Sequence, residues 1–154
     1  MARNEKKMEK IKIRRINETD LEAISNLYQY FWNENSNIIK MKEKYNELKK
    51  NTKYIFLCAE IDNKVIGTIM GIICDELYGE CNPFLIIEDL IVNKEYRNMG
   101  IGKRLMNELE NIAKQSKCSQ IQFITEANRS DTISFYESLG FNSKTHIGFK
   151  KNIK

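Results

Sequence analysis

Glu88 and Asp89 are adjacent carboxylates inside the most apolar run of the chain, Phe84 to Val92. A carboxylate is costly to bury without a partner. Side chains alternate along a strand, so the two point to opposite faces unless a bulge intervenes, and at least one must reach a cleft. A partly buried Glu has a raised pKa and suits proton abstraction near neutral pH. The alternative is an ion pair with a nearby Lys or Arg. Just after this run comes Arg97-Asn98-Met99-Gly100-Ile101-Gly102, which opens an amphipathic run starting near Lys103. Glycines let backbone N–H groups approach an anion, and the positive end of a helix dipole points at the same spot. The segment reads as a pyrophosphate cradle or as a plain strand-to-helix turn. It is neither a G-x-G-x-x-G after the first strand of the chain nor a G-x-x-x-x-G-K-[ST], which argues against NAD or ATP in their usual frames.

A third group is Tyr136, in Phe135-Tyr136-Glu137. A phenol is a competent general acid toward a thiolate leaving group; the alternative is a buried tyrosine bonded to backbone. Tyr28, Tyr30, Phe31 and Trp32 form an aromatic cluster. Tyr28 and Phe31 fit a core stripe, whereas Tyr30 and Trp32 do not and could line a substrate pocket. Cysteines Cys58, Cys74, Cys81 and Cys118 form no C-x-x-C pair, and His146 is the one histidine, so no zinc site is expected.

The elements that must carry these groups follow from periodicity. Lys10 to Ile16 alternates as a strand. Thr19-Asp20-Leu21-Glu22 reads as a capping box opening a helix with Ile24, Leu27, Tyr28 and Phe31 on one face. A polar helix covers Ile38 to Lys50. Tyr54 to Ile61 and Val65 to Cys74 are strands joined by an Asp62-Asn63 hairpin turn. Phe84 to Val92 is a buried strand, Lys103 to Ser116 a helix, and Gln120 to Thr125 a strand. A short helix from Ser130 or Asp131 ends at Gly140. Phe141 to Lys144 and Thr145 to Lys151 are the expected final strands. The sum is an α/β fold with a mixed sheet of about seven strands.

A chain of 154 residues, 42% hydrophobic, fits one domain with a real core. The expected division is a basic, flexible segment over residues 1–10 and a single domain over 11–154. The formal charge is +4, and Arg3, Lys6, Lys7 and Lys10 against Glu5 and Glu9 account for half of it. The nearly balanced remainder argues against nucleic acid as a partner. No run approaches a membrane span and the N-terminus lacks the apolar middle of a signal peptide, so a cytoplasmic protein is expected.

Ile87-Glu88-Asp89-Leu90-Ile91-Val92, Glu95-Tyr96-Arg97-Asn98-Met99-Gly100-Ile101-Gly102 and Phe135-Tyr136-Glu137-Ser138-Leu139-Gly140-Phe141, in this order and spacing, resemble the GNAT superfamily of acetyl-CoA-dependent N-acetyltransferases. The first two stretches are also similar, more weakly, to polyamine (diamine) N-acetyltransferases. The resemblance implies a mostly antiparallel sheet with helices on both faces and a splayed central strand pair. It implies that Leu90, Ile91 and Val92 pair with the pantetheine arm of acetyl-CoA. It further implies that Arg97, Asn98, Met99, Gly100, Ile101, Gly102 and Lys103 hold the pyrophosphate, and that Phe135 joins the cofactor site. Glu88 would be the base and Tyr136 the acid in direct attack of an amine on the thioester, with no metal. Where many members carry an Asn that touches the cofactor, this chain has Arg129, and Asn128 is the nearby substitute. Tyr28, Trp32, Asp89 and Glu126 are the candidate acceptor-binding residues, and the carboxylates among them favour a cationic amine. A small-molecule amine is the expected acceptor and a homodimer the expected assembly. A protein lysine or N-terminus as acceptor, or an acetyl-CoA-binding module without turnover, are the open alternatives.

Overall fold

The structure, a computed structural model, describes residues 10–153; nearly all of the expected basic N-terminal segment therefore lies outside the described residues. The chain divides into two compact units, Met1–Gln122 and Phe123–Lys154.

The first unit is one five-stranded sheet in the order β1 (Lys12–Arg15), β2 (Tyr54–Ile61), β3 (Lys64–Cys74), β4 (Phe84–Val92) and β5 (Ile121–Gln122). The first three pairings are antiparallel and the last is parallel. The β2–β3 turn is where the sequence puts it. Asp62 and Asn63 both have positive φ, 47° and 61°, the requirement of the tight turn whose twist matches a hairpin.

Helices cover both faces. On one side lies α1 (Leu21–Trp32), joined to α2 (Ile38–Leu48). Leu21 and Ile24 of α1 pack with Ile16 and Cys58, and Tyr45 and Met41 of α2 close over the same cluster. On the other side lies α3 (Ile101–Gln115), whose Ile101, Leu105, Met106, Leu109 and Ala113 are buried. Its close seat depends on Gly71, where a Cβ would stand 2.9 Å from Leu109 Cδ2 and 3.2 Å from Leu85 Cδ1.

Two local expectations shift. The capping box is formed by Asn17 and Asp20, not by Thr19 and Glu22: Asn17 Oδ1 accepts from Thr19 N, and Asp20 Oδ2 accepts from Asn17 N at 2.7 Å. A 3-10 turn, Glu18–Asp20, precedes α1 for that reason. Helix α3 starts at Ile101 rather than Lys103, because Gly100 supplies the left-handed residue that lets the turn close earlier (φ 72°). Asp20 is buried, and Arg14 accounts for this. The guanidinium donates to both Asp20 oxygens (2.7 and 2.9 Å) and to Glu60 (2.5 and 2.8 Å). It holds the Asp20 carboxyl below its ordinary pKa, against the opposing effect of burial.

The second unit holds α4 (Ser130–Glu137). Gly140, at φ 90°, ends it as expected. Gly140 N donates to Glu137 O and Phe141 N to Tyr136 O, the paired bonds of a Schellman cap. The sheet has five strands and not about seven. The strand expected over Gln120 to Thr125 is reduced to Ile121–Gln122, and no strand forms at Phe141 to Lys144 or Thr145 to Lys151. A strand exists only when paired, so apolar alternation is insufficient without a neighbour. Ile147 and Phe149 carry that alternation and stand 82% and 91% exposed.

Candidate active site

The register of β3 on β4 slips at the two carboxylates. Met70 faces Glu88 and Thr68 faces Ile91, so Ile69 alone is opposed by Asp89 and Leu90. Asp89 takes the extra place with φ 55°, a left-handed conformation inside a strand, which is the signature of a bulge. The alternation of faces is thereby broken. Glu88 shares the face of Met70, which is the face of Phe56 and Cys58 beneath α1. Asp89 turns to α1 as well, where its Oδ2 accepts from the Tyr28 hydroxyl at 3.4 Å. Glu88 is exposed and Asp89 half-buried. Burial pushes the Asp89 carboxyl above its ordinary pKa, with the Tyr28 bond pulling the other way. Burial, then the neighbouring Asp89 charge, drives the Tyr28 hydroxyl far up, so it stays a proton donor. Of the two carboxylates, the half-buried one with the raised pKa is therefore Asp89.

Tyr28 leads into an aromatic wall. Its ring centroid lies 5.2 Å from that of Trp32, and Trp32 lies 5.3 Å from Phe31 in an edge-on contact. Trp32 is about half exposed (48%). Tyr30 points away from this stack and carries Lys94 Nζ 5.0 Å above its ring.

Beyond Ile86, β4 has no ladder on its β5 side among the described residues, since that pairing stops at Leu85↔Ile121 and Ile86↔Gln122. The backbone of Leu90, Ile91 and Val92 thus carries no ladder on that side among the described residues. Asn93 ends the strand; its N–H donates to Ile66 O and its side chain accepts from Glu95 N. A 3-10 turn, Lys94–Tyr96, leads to exposed Arg97, whose Nε donates to Val92 O at 3.2 Å. Asn98 and Gly100 both have positive φ, 60° and 72°. The first bond of α3 runs from Arg104 N to Gly100 O, which leaves the N–H groups of Ile101, Gly102 and Lys103 without an acceptor in the helix. Two guanidinium nitrogens, an exposed lysine and three N–H groups at a helix start are a donor set suited to a pyrophosphate.

The second unit holds the remaining predicted residues. Tyr136 sits in an aromatic nest, with ring centroids of Phe123, Phe135 and Phe141 at 4.3, 5.1 and 6.2 Å. Burial raises its pKa, and Arg129 opposes the rise. Phe135 is half-buried, whereas Glu126 and Asn128 are exposed. The structure thus brings Tyr28, Trp32, Glu88 and Asp89 to one face of the first unit, with Leu90 to Lys103 following directly. The Tyr28–Asp89 bond was not legible as a pair. The only signal was an aromatic at the border of the α1 core stripe.

Residues 21–141 match the model of the acetyltransferase (GNAT) family. The chain belongs to the GNAT family. The match takes in α1, the bulged strand, the glycine turn and the F-Y-E-S-L-G-F segment. A relative, glucosamine 6-phosphate N-acetyltransferase 1 of Dictyostelium discoideum, is 31% identical over 106 residues; the alignment spans 66% of this chain and 65% of that protein. The solved glucosamine-6-phosphate N-acetyltransferase of Arabidopsis thaliana superposes with a TM-score of 0.82 at 20% identity, covering 94% of this chain and 99% of that one. An aminoglycoside N-acetyltransferase solved with CoA superposes at 0.78 and 19% identity, covering 94% and 95%. These superpositions identify a shared GNAT fold. The family uses acetyl-CoA. Among the described residues no helix is long and apolar enough to cross a membrane, and no cluster of His, Cys, Asp and Glu is arranged for a metal.

Proposed function

We propose that this GNAT protein transfers the acetyl group of acetyl-CoA to the primary amine of a small molecule, with residues 11–154 acting as one acetyltransferase domain. The observation that carries the reading is the Asp89 bulge, which turns two carboxylates to one face immediately upstream of a donor-lined helix start.

Bound acetyl-CoA supplies an activated thioester carbonyl. Arg97, Lys103 and the N–H groups of Ile101 to Lys103 hold its pyrophosphate, with Asn98 and Met99 shaping the turn and Gly100 leaving room beside it. The β4 backbone at Leu90, Ile91 and Val92 offers groups to the pantetheine amides, and Phe135 and Asn128 are the remaining cofactor residues of this reading. Glu88, exposed on the acceptor face, takes a proton from the substrate ammonium directly or through water, so that a neutral amine attacks. Tyr136 protonates the departing thiolate. Its raised pKa keeps that proton in place across neutral pH. Tyr28, Trp32 and Asp89, with Glu126, contact the acceptor.

A thermal shift with coenzyme A comes first, and stabilisation at saturating ligand is expected. A panel of small amines, an amino sugar phosphate and peptide amines, read by release of free coenzyme A, then tests transfer. Turnover confined to the peptides would overturn the small-molecule acceptor, and binding without any turnover would make the chain an acetyl-CoA-binding module.

A further inference from the structure

Among the carboxylates of the first unit that are withdrawn from solvent, Asp20 and Glu60 are held by Arg14, and Asp89 is treated differently. Asp20 accepts two bonds from the Arg14 guanidinium and one from Asn17 N. Asp89 accepts one bond, from Tyr28 at 3.4 Å, which is long for an O–H···O contact. No Lys, Arg or His lies within ion-pair distance of Asp89 among the described residues. An ionised, half-buried carboxylate with so little compensation favours a cation from outside the chain.

The surroundings say what kind of cation. Tyr28, bonded to Asp89, and Trp32 present adjoining tilted aromatic rings, and among the described residues neither ring carries a cation, unlike Tyr30 under Lys94 and Tyr45 under Lys49. Aromatic faces attract ammonium groups, most strongly where water is partly excluded. Glu88 faces the same side one residue away, so this face carries two carboxylates. Two carboxylates serve two positive charges; they repel a phosphate.

We propose that the Tyr28–Trp32–Asp89 corner binds a second positive charge on the acceptor, so that the acceptor is a small organic polycation with at least two amino groups and no phosphate. The inference rests on the acetyl-transfer reading above and adds the acceptor class to it. Glu88 relieves the reacting ammonium of its proton, while Asp89 holds the other one as an ion pair. Tyr28 is a positioning residue, since its hydroxyl points the carboxylate and its ring walls the site.

The test pairs 1,5-diaminopentane with pentylamine, equal in length and differing by one charge, and adds kanamycin and glucosamine 6-phosphate. The wild type is expected to use the diamine, kanamycin or both with kcat/KM at least about tenfold above pentylamine, a difference of about 1.4 kcal/mol, and above glucosamine 6-phosphate. The variant D89N keeps the backbone, because Asn tolerates the left-handed region, and should reduce the diamine-to-monoamine ratio to near one. Y28F should lower the ratio through KM with less effect on kcat. Coenzyme A stabilisation of each variant checks that it has folded.

Calorimetric titration of diaminopentane and of kanamycin into the protein–coenzyme A complex gives a readout that needs no turnover. Binding that D89N abolishes supports the polycation site even if no acetyl transfer is found, in which case only the catalytic reading fails. Equal use of pentylamine, preference for glucosamine 6-phosphate, unchanged selectivity in D89N, or no binding of either polycation overturns the proposal. Preference between diaminopentane and kanamycin separates linear from amino-sugar acceptors.

Discussion

Replacing Tyr136 by Phe removes one oxygen and leaves the ring where it is. The side chain is held by Phe123 at 4.3 Å, Phe135 at 5.1 Å and Phe141 at 6.2 Å between ring centroids, and these contacts do not involve the hydroxyl. The backbone of Tyr136 is fixed separately, as the acceptor of the Phe141 N–H in the Schellman cap. The folded state should therefore change by no more than about 0.5 kcal/mol. A positioned general acid contributes about 10²–10⁴ in rate, which at 1.36 kcal/mol per factor of ten is about 3–5 kcal/mol of barrier. Y136F should thus lower kcat by at least about a hundredfold with KM for acetyl-CoA unchanged, the pattern of an interaction made in the transition state. The assay is initial-rate release of free coenzyme A as a function of pH. An acid must be protonated to act, so the wild-type rate falls as pH rises through the raised Tyr136 pKa, and Y136F should lack that alkaline limb. Wild-type kcat in the variant, or a rise in KM with kcat intact, would refute the assignment.

Other perturbations follow from the same geometry. Arg14→Met leaves the buried Asp20 without its two guanidinium bonds and should cost about 3–5 kcal/mol, read as a loss in urea midpoint. Because Arg14 depresses the Asp20 pKa, the stabilisation is present above the ordinary carboxylate range and fades as pH falls through the depressed value. Asp89→Asn should raise Tm at neutral pH. The folded-state pKa of Asp89 is raised, so its contribution is fully present below the ordinary carboxylate value and lost as pH rises, and the gain from the variant should vanish in acid. At Gly100 a Cβ meets nothing within 4 Å but φ is 72°, so Gly100→Ala should cost about 1–2 kcal/mol in backbone conformation alone, seen as a Tm loss and weaker stabilisation by coenzyme A.

What could be read from the sequence divides along a physical line. Asp62-Asn63, Gly100 and Gly140 are demands of local backbone geometry, and residue type alone announces them. The glycine turn and the helix end after Tyr136 were therefore placed to within a residue or two. The α1 stripe was legible at Ile24 and Leu27, both buried, because burial follows the helical period. Pairings between distant segments were not. Arg14 meets Asp20 and Glu60 only once β1 lies beside β2. The capping box lies at Asn17 and Asp20, and the same Asp20 is held by Arg14 from β1. The two final strands were inferred from alternation in Phe141 to Lys151, but alternation does not supply the neighbour that a ladder needs.

The bulge joins both kinds of information. Asp is one of the few residues that accepts a left-handed conformation, so Asp89 is locally suited to the place, yet nothing local requires an extra residue opposite Ile69. Its consequences are long-range: it turns a second carboxylate toward Tyr28, and it shifts the register of Leu90 to Val92 against β3 by one residue. A regular strand would send Glu88 and Asp89 to opposite faces and turn Asp89 toward α3, where Leu105 and Leu109 are buried. One inserted residue thus brings a second carboxylate to the proposed acceptor face and sets which way Leu90 to Val92, the proposed donor contacts, point. Deleting Leu90, which removes the extra residue and restores alternation, should abolish coenzyme A stabilisation and diamine binding together, whereas D89N should remove only the second. Independent loss of the two in the deletion would mean that the donor edge and the acceptor face do not share this origin.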